Sequence, residues 1–188
     1  MRLKLSILFA ALILSLPACA QVAHSAQRGG TQVTLGGGID YWKGDYSHIA
    51  RFGPAAWATA EFWHGIGVIA EGHSMIAGGT NADQYKYFSG DGGLIYTYHR
   101  WRNVAPFVKA EAGFASLSFP HTATATYTHD TRTTWAMGAG FEYKVVGHIW
   151  AHADYTYDNF PNFYSTVTGQ HHSLNPNGIA VGATYHFR

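Results

Sequence analysis

The sequence has little cysteine, little charge and no long apolar run. Of its 188 residues only Cys19 is a cysteine, and 12% of the residues are charged. With one cysteine the chain can form no internal disulfide and no thiolate metal site, so its stability must come from the fold itself. The apolar run from Leu5 to Leu16 is shorter than the roughly 20 residues that a helix needs to cross a bilayer. No later stretch approaches that length, and the sequence predicts no transmembrane helix.

The first 20 residues have the pattern of an export signal. Two basic residues precede the apolar run, and Ala18-Cys19-Ala20 forms an A-x-A cleavage site after it. The same stretch also resembles a lipoprotein box, in which Cys19 would be lipidated instead of removed. The predicted organisation is a signal peptide at 1–20, a short amino-terminal segment at 21–30 and one folded domain at 31–188.

The composition of the remaining chain favours a β-protein over a nucleic-acid-binding one. Two of the 12 Lys and Arg residues lie in the signal, which leaves about as many basic residues as the 11 Asp and Glu. Such a balance offers no basic surface, and we expect no nucleic-acid partner. The 22 glycines and the 15% of aromatic residues suit strands that show apolar side chains to lipid and polar ones inward. A secreted β-sandwich shares part of this composition and is the alternative fold.

Eight segments of the sequence alternate between apolar and polar residues. A period of two is typical of a β-strand with one apolar face. The segments are Thr31–Trp42, Ala56–Trp63, Val68–Ile76, Gly92–His99, Val104–Phe114, Thr134–Val145, His148–Asp158 and Ile179–Phe187.

The connections between these segments are short and long in turn. His64-Gly65, Arg100–Asn103 and Val146-Gly147 follow the even-numbered segments. A membrane sheet must close on itself because lipid cannot satisfy open strand edges, and short periplasmic turns then alternate with longer extracellular loops. The longer connections are Lys43–Arg51, Ala77–Asp91, Ser118–Arg132 and Asn159–Asn177.

The end of the chain adds a further signature. Tyr185-His186-Phe187-Arg188 resembles the terminal strand of bacterial outer-membrane barrels, although Arg188 follows the final aromatic residue. Together with the segment pattern, residues 31–187 resemble the small eight-stranded outer-membrane β-barrel superfamily, the OmpA/OmpX-like porin family. The resemblance implies an all-β, antiparallel, up-and-down transmembrane barrel in the outer membrane of a Gram-negative bacterium. It also implies contact with outer-membrane lipid and lipopolysaccharide, with the assembly machinery through the last strand, and a monomeric state.

In each predicted strand every second residue faces inward, and these inward-facing positions carry a set of ionisable residues. Eight strands leave only enough space for side chains to fill, and buried charges must be paired or hydrated. We expect salt bridges between strands five and six, and a polar plug that holds the barrel together. Inward glycines would leave room for water, which keeps a narrow channel as the alternative. The predicted lumen network is Asp40, Glu61, Glu71, His73, Lys109, Glu111, Glu142, Lys144, His152 and Asp154.

Two site hypotheses concern the loops. Loop histidines could bind a transition metal, but no helix or hairpin fixes their spacing, so we expect no metal and no other cofactor. His171-His172-Ser173 looks superficially like the pair of a lipid A deacylase, yet no acidic residue follows Asp158, and only Asp130 offers a distant one. We therefore expect no enzyme. The loop histidines are His48, His121, His129, His171 and His172.

These sequence patterns do not identify a ligand. A structural or surface-contact role, carried by loops on a rigid scaffold, is the main expectation. A narrow channel for ions or small solutes is the second.

Overall fold

The described part of the chain forms nine β-strands. A computed structural model describes residues 31–43, 50–77, 85–118, 129–164 and 171–187. No helix able to span a membrane occurs in these ranges. The strands are β1 Gln32–Lys43, β2 Ala50–Trp63, β3 Ile66–Ala77, β4 Tyr85–Thr97, β5 Val104–Ser118, β6 His129–Val146, β7 Ile149–Tyr164, β8 His171–Leu174 and β9 Asn177–Phe187.

Eight of the strands close into an antiparallel barrel. Strands β1 to β6 pair in chain order, β9 pairs with both β1 and β7, and β6 pairs with β7 to complete the ring. The short β8 pairs only with the far end of β7, where Phe160 lies opposite Leu174. The predicted eight-stranded up-and-down barrel is confirmed, and β8 is an addition to it.

Several strands are longer than the alternation predicts. β4 begins at Tyr85 rather than Gly92, and β7 continues to Tyr164 rather than stopping at Asp158. The predicted segment ended wherever polar residues or glycines broke the apolar face. Backbone pairing to two extended neighbours continues beyond that point because the ladder of hydrogen bonds does not require an apolar side chain. The loops are correspondingly shorter, and residues 44–49, 78–84, 119–128 and 165–170 lie outside the described residues.

The tight turn between β2 and β3 explains the His64-Gly65 pair. Both residues have positive φ, 46° at His64 and 86° at Gly65. A two-residue hairpin of this kind matches the twist of the strands and favours glycine at its second position. The carbonyl of Gly65 also accepts a 2.8 Å hydrogen bond from the amide of Thr97, which ties this turn to the end of β4.

The barrel is apolar outside and polar inside. Leu94 and Met137 are 62% and 59% exposed on the outer face. On the inner face, in contrast, charged residues such as Asp40 and Lys109 are buried. This is the reverse of a water-soluble protein and the arrangement that a lipid surrounding requires.

Candidate functional site

The lumen is the densest cluster of charged residues in the described part of the chain. All ten residues of the predicted network occupy inward-facing positions of their strands. Nine of them are buried, whereas Lys144 is half-buried near the short-turn end and makes no ion pair with the other described residues. The strands supply them as follows: Asp40 from β1, Glu61 from β2, Glu71 and His73 from β3, Lys109 and Glu111 from β5, Glu142 and Lys144 from β6, and His152 and Asp154 from β7.

Lys109 is the centre of the network. Its fully buried Nζ lies 2.5 Å from Glu71 Oε2, 3.2 Å from Asp154 Oδ1 and 3.7 Å from Glu111 Oε2. One ammonium group therefore joins β5 to β3 on one side and to β7 on the other. A buried charge is tolerated only when it is paired in this way.

The pairing differs from the salt bridges expected between β5 and β6. In the observed register Lys109 lies opposite Gly138, while Glu142 lies opposite Ala105. A Cβ at position 138 would collide with the Lys109 side chain. Because Gly138 has no side chain, Lys109 passes over β6 and reaches Asp154 on β7 instead.

A second group of contacts lies nearer the short turns. Glu142 contacts His152 at 3.3 Å through Oε1 and His186 at 2.8 Å through Oε2. His152 also lies 2.7 Å from Asp154 Oδ2, so that both of its ring nitrogens face carboxylates. A ring protonated on both nitrogens can donate to both. Asp154 therefore links this group to Lys109.

A third group extends the network towards the loops. His73 Nδ1 lies 2.5 Å from Asp40 Oδ2, and His73 Nε2 lies 3.4 Å from Glu71 Oε2. With Lys109 and Asp154, these contacts form one continuous chain of close polar contacts from His186 on β9 to Asp40 on β1. Such a chain couples strands that are not hydrogen-bonded neighbours.

Trp57 fills the centre of the lumen, a role that the sequence analysis did not assign to it. Its Nε1 donates a 2.9 Å hydrogen bond to Thr184 Oγ1, and its ring stacks on His152 with 4.2 Å between centroids. A Cβ added at Gly36 or Gly182 would overlap the Trp57 ring. The expectation that inward glycines leave room for water is wrong at these positions, because the glycines make room for an indole. The sequence signal for this placement was one large aromatic residue at an inward-facing position of β2, together with glycines at inward-facing positions of β1 and β9.

Little space remains among the side chains around Trp57. A cavity of about 10 Å³ lies beside Trp57, which is roughly the space of one water molecule. Its lining consists of Trp57, Thr59, Glu61, Ile69, Ile95, Thr97, Phe107, Glu142 and His152. Nearer the loops, the Tyr87 ring lies 6.0 Å from both Trp42 and Phe160, which form an aromatic layer above the charges.

The loop hypotheses rest mainly on residues that the structure does not describe. His48 and His121 lie outside the described residues, and so do the side chains of His129, Asp130, His171 and His172. Ser173 is exposed on β8. Within the described ranges, no three histidine, cysteine or acidic residues are arranged to hold a metal ion.

A closed antiparallel barrel with an apolar outer face and a charged lumen defines an integral β-barrel membrane protein. The family described as outer membrane protein beta-barrel domain matches residues 6–187, and the chain belongs to that family. The family places the protein in the bacterial outer membrane, with lipid around its apolar face.

Three solved structures share the fold. Neisserial surface protein A is 13% identical with a TM-score of 0.64, covering 84% of this chain and 97% of its own. OprG from Pseudomonas aeruginosa is 12% identical with a TM-score of 0.62, covering 84% and 96%. Ail, the attachment invasion locus protein of Yersinia pestis, solved with the heparin analogue sucrose octasulfate, is 19% identical with a TM-score of 0.57, covering 84% and 97%. No curated protein matches the chain.

Proposed function

We propose that this protein is a closed outer-membrane barrel whose role is structural or surface-contacting and is carried by its loop end. The filled lumen is the observation that supports this. Lys109 and Trp57 lie across the inside of the barrel, and the space beside Trp57 holds about one water molecule. A barrel without an open lumen offers other molecules its two ends and its lipid-facing wall.

The likeness to Ail and to Neisserial surface protein A fits this role. Ail is an attachment invasion locus protein, and Neisserial surface protein A is a surface protein by its name. At this level of identity only the fold is shared, so the ligand of this chain is a separate question. Lipopolysaccharide, which surrounds any barrel in the outer leaflet, and sulfated glycans, which the Ail complex represents, are the two probes with which to begin.

Binding by the loops is tested by replacing segments 78–84, 119–128 and 165–170, one at a time, with short Gly-Ser linkers. Each variant is first checked for a folded barrel by its gel mobility before and after boiling. Surface plasmon resonance then measures binding to purified lipopolysaccharide and to heparin. We expect at least one replacement to abolish binding while the barrel stays folded. Unchanged binding in all three variants would contradict a role for these segments.

The closed lumen is tested by planar-bilayer conductance, which also addresses the alternative of a narrow channel. We expect no conductance steps from the unchanged protein. Trp57→Ala should produce steps because it removes the ring that fills the centre, whereas Trp135→Ala, the same truncation on the lipid-facing side, should stay silent. Steps in the unchanged protein that disappear in the double variant Glu111→Gln/Glu142→Gln would favour the channel.

We propose further that the charge network is a polar plug that fastens the strands together. We also propose that the chain is a monomer, that the assembly machinery engages it through β9, and that it uses no cofactor. It has no enzymatic activity in this proposal. Release of a fatty acid from lipid A that is lost in Ser173→Ala would overturn that last point.

A further inference from the structure

Acidic and basic residues are distributed unequally along the barrel. All eight acidic side chains that the structure describes lie on the inner face: Asp40, Glu61, Glu71, Asp91, Glu111, Glu142, Asp154 and Asp158. The other three acidic residues, Asp45, Asp83 and Asp130, belong to the loop side of the sequence. No acidic residue occurs in the three short connections. The short-turn rim therefore carries no exposed negative side chain in the described part of the chain.

The turn between β4 and β5 places two arginines on this rim. Arg100 and Arg102 are both exposed, and neither makes a salt bridge with the residues that the structure describes. The turn is fixed by backbone hydrogen bonds at 2.8 Å from Tyr98 to Pro106 and at 2.9 Å from Lys144 to Asn103. The second bond connects the turn to β6. The result is two exposed cationic side chains on a fixed turn, neither of them paired with an acidic side chain in the described part of the chain.

Aromatic rings beside these arginines place them at the membrane boundary. Trp101, between the two arginines, is 59% exposed and packs edge-on against Tyr98, with 5.9 Å between ring centroids. At the end of β2, next to the neighbouring turn, Trp63 is 63% exposed. Exposed tryptophan and tyrosine rings lie at the headgroup level of a bilayer. The guanidinium groups are therefore at the depth where lipid phosphates lie, and arginine binds phosphate through paired hydrogen bonds.

We infer that Arg100 and Arg102 bind anionic phospholipid headgroups, of the phosphatidylglycerol class, in the leaflet that faces the short turns. Charge complementarity supports an anionic partner. The strands that flank the turn continue into the apolar outer face, where Tyr96 on β4 and Val108 on β5 lie opposite each other and are exposed, and this supports a lipid over a soluble polyanion. The site lies at the opposite end from the loops, so it is independent of the surface role proposed above.

The test is native mass spectrometry of the full-length barrel in zwitterionic micelles, titrated with short-chain phosphatidylglycerol or phosphatidylcholine. The ratio of single-lipid adducts measures the preference for the anionic lipid. Three forms are compared: the unchanged protein, Arg100→Gln/Arg102→Gln, and the matched control Lys43→Gln/Lys86→Gln. The control removes the same two charges from exposed positions near the loop end. Gel mobility before and after boiling verifies the fold of each form.

We expect the unchanged protein and the control to prefer phosphatidylglycerol. The preference should fall about fivefold for each arginine removed, and it should shrink for the unchanged protein in concentrated ammonium acetate because salt screens exposed charges. An equal preference in the arginine variant and the unchanged protein would overturn the inference, as would an equal loss in the lysine control. Binding of isolated peptidoglycan that depends on the arginines, without any lipid preference, would assign the surface to a polymer instead.

Discussion

Lys109 is the residue on which the lumen network depends most. It contacts three acidic side chains at once, and its ammonium group is inaccessible to solvent. Removing one member of a buried ionic group is strongly destabilising because the remaining charges lose their partner. The acidic residues left behind would be Glu71, Glu111 and Asp154.

Lys109→Met should therefore lower the free energy of unfolding by about 3–5 kcal/mol. Lys86→Met is the matched control, since Lys86 is exposed on the outer face, and it should change stability by less than about 0.5 kcal/mol. Urea titration of the barrel folded in lipid vesicles measures both. Equal effects of the two substitutions would show that the network contributes nothing specific.

Neighbouring glycines on β1 provide a second comparison at the residue scale. Gly36 faces the Trp57 ring, whereas a Cβ at Gly37 would meet its nearest atom, the Ala55 carbonyl oxygen, at 3.5 Å. Gly36→Ala should destabilise the barrel by about 1–3 kcal/mol, because a crowded interior must shift to admit a methyl group. Gly37→Ala should be close to neutral in the same urea titration.

A second substitution tests whether Trp57 is the cause. Trp57→Phe introduced into the Gly36→Ala variant should recover part of the lost stability, because the smaller ring leaves room for the methyl group. A double-mutant cycle measures this coupling. Strictly additive effects would mean that the Gly36 substitution acts through some other contact.

At the scale of elements, the turn after β4 is joined to β2 by a side-chain pair. His99 Nε2 lies 2.5 Å from Glu61 Oε2, and the His99 side chain is 40% exposed. The hydrogen bond that the His99 ring donates to the Glu61 carboxylate raises the pKa of His99 above its ordinary value. A histidine with a raised pKa stabilises the fold fully below its unfolded-state pKa, and this contribution is lost as the pH rises through the folded-state pKa.

Glu61→Gln should accordingly lower the pKa of His99 towards the ordinary value near 6.5. The titration of the His99 ring, followed by NMR in detergent micelles, measures the change directly. Stability of the unchanged protein should decline as the pH rises above the unfolded-state pKa, and the variant should lack this part of the decline. An unchanged His99 titration in the variant would rule out Glu61 as the cause.

At the scale of the whole molecule, closure of the barrel depends on β9. This strand pairs with β1 on one side and with β7 on the other. Without it, both neighbours would expose open strand edges, which lipid cannot satisfy.

The unboiled protein should therefore resist SDS and migrate differently from the boiled protein on a gel. Deletion of residues 177–187 should abolish this difference, whereas deletion of residues 119–128, between β5 and β6, should preserve it. A chain that shows no mobility difference and stays soluble without detergent would contradict the membrane barrel itself.

The alternation of apolar and polar residues was enough to predict the fold class, the number of barrel strands and the side chains that face inward. Alternation does this because a strand has a period of two and each residue faces either lipid or lumen. Asp40 and Lys109 were assigned to the lumen on that basis, and both are buried there. Strand ends such as Tyr85, where β4 begins, were not predicted because backbone pairing continues after the apolar pattern stops.

Which lumen groups contact one another depends on the closed barrel and could not be predicted from the sequence. Lys109 pairs with Glu71 and Asp154 because barrel closure brings β3, β5 and β7 around one axis, and because Gly138 leaves a passage over β6. The position of Trp57 over Gly36 is a consequence of the same closure. Distances across a barrel depend on the register and on the side chains of several strands together. The alternation within one strand therefore cannot predict these distances.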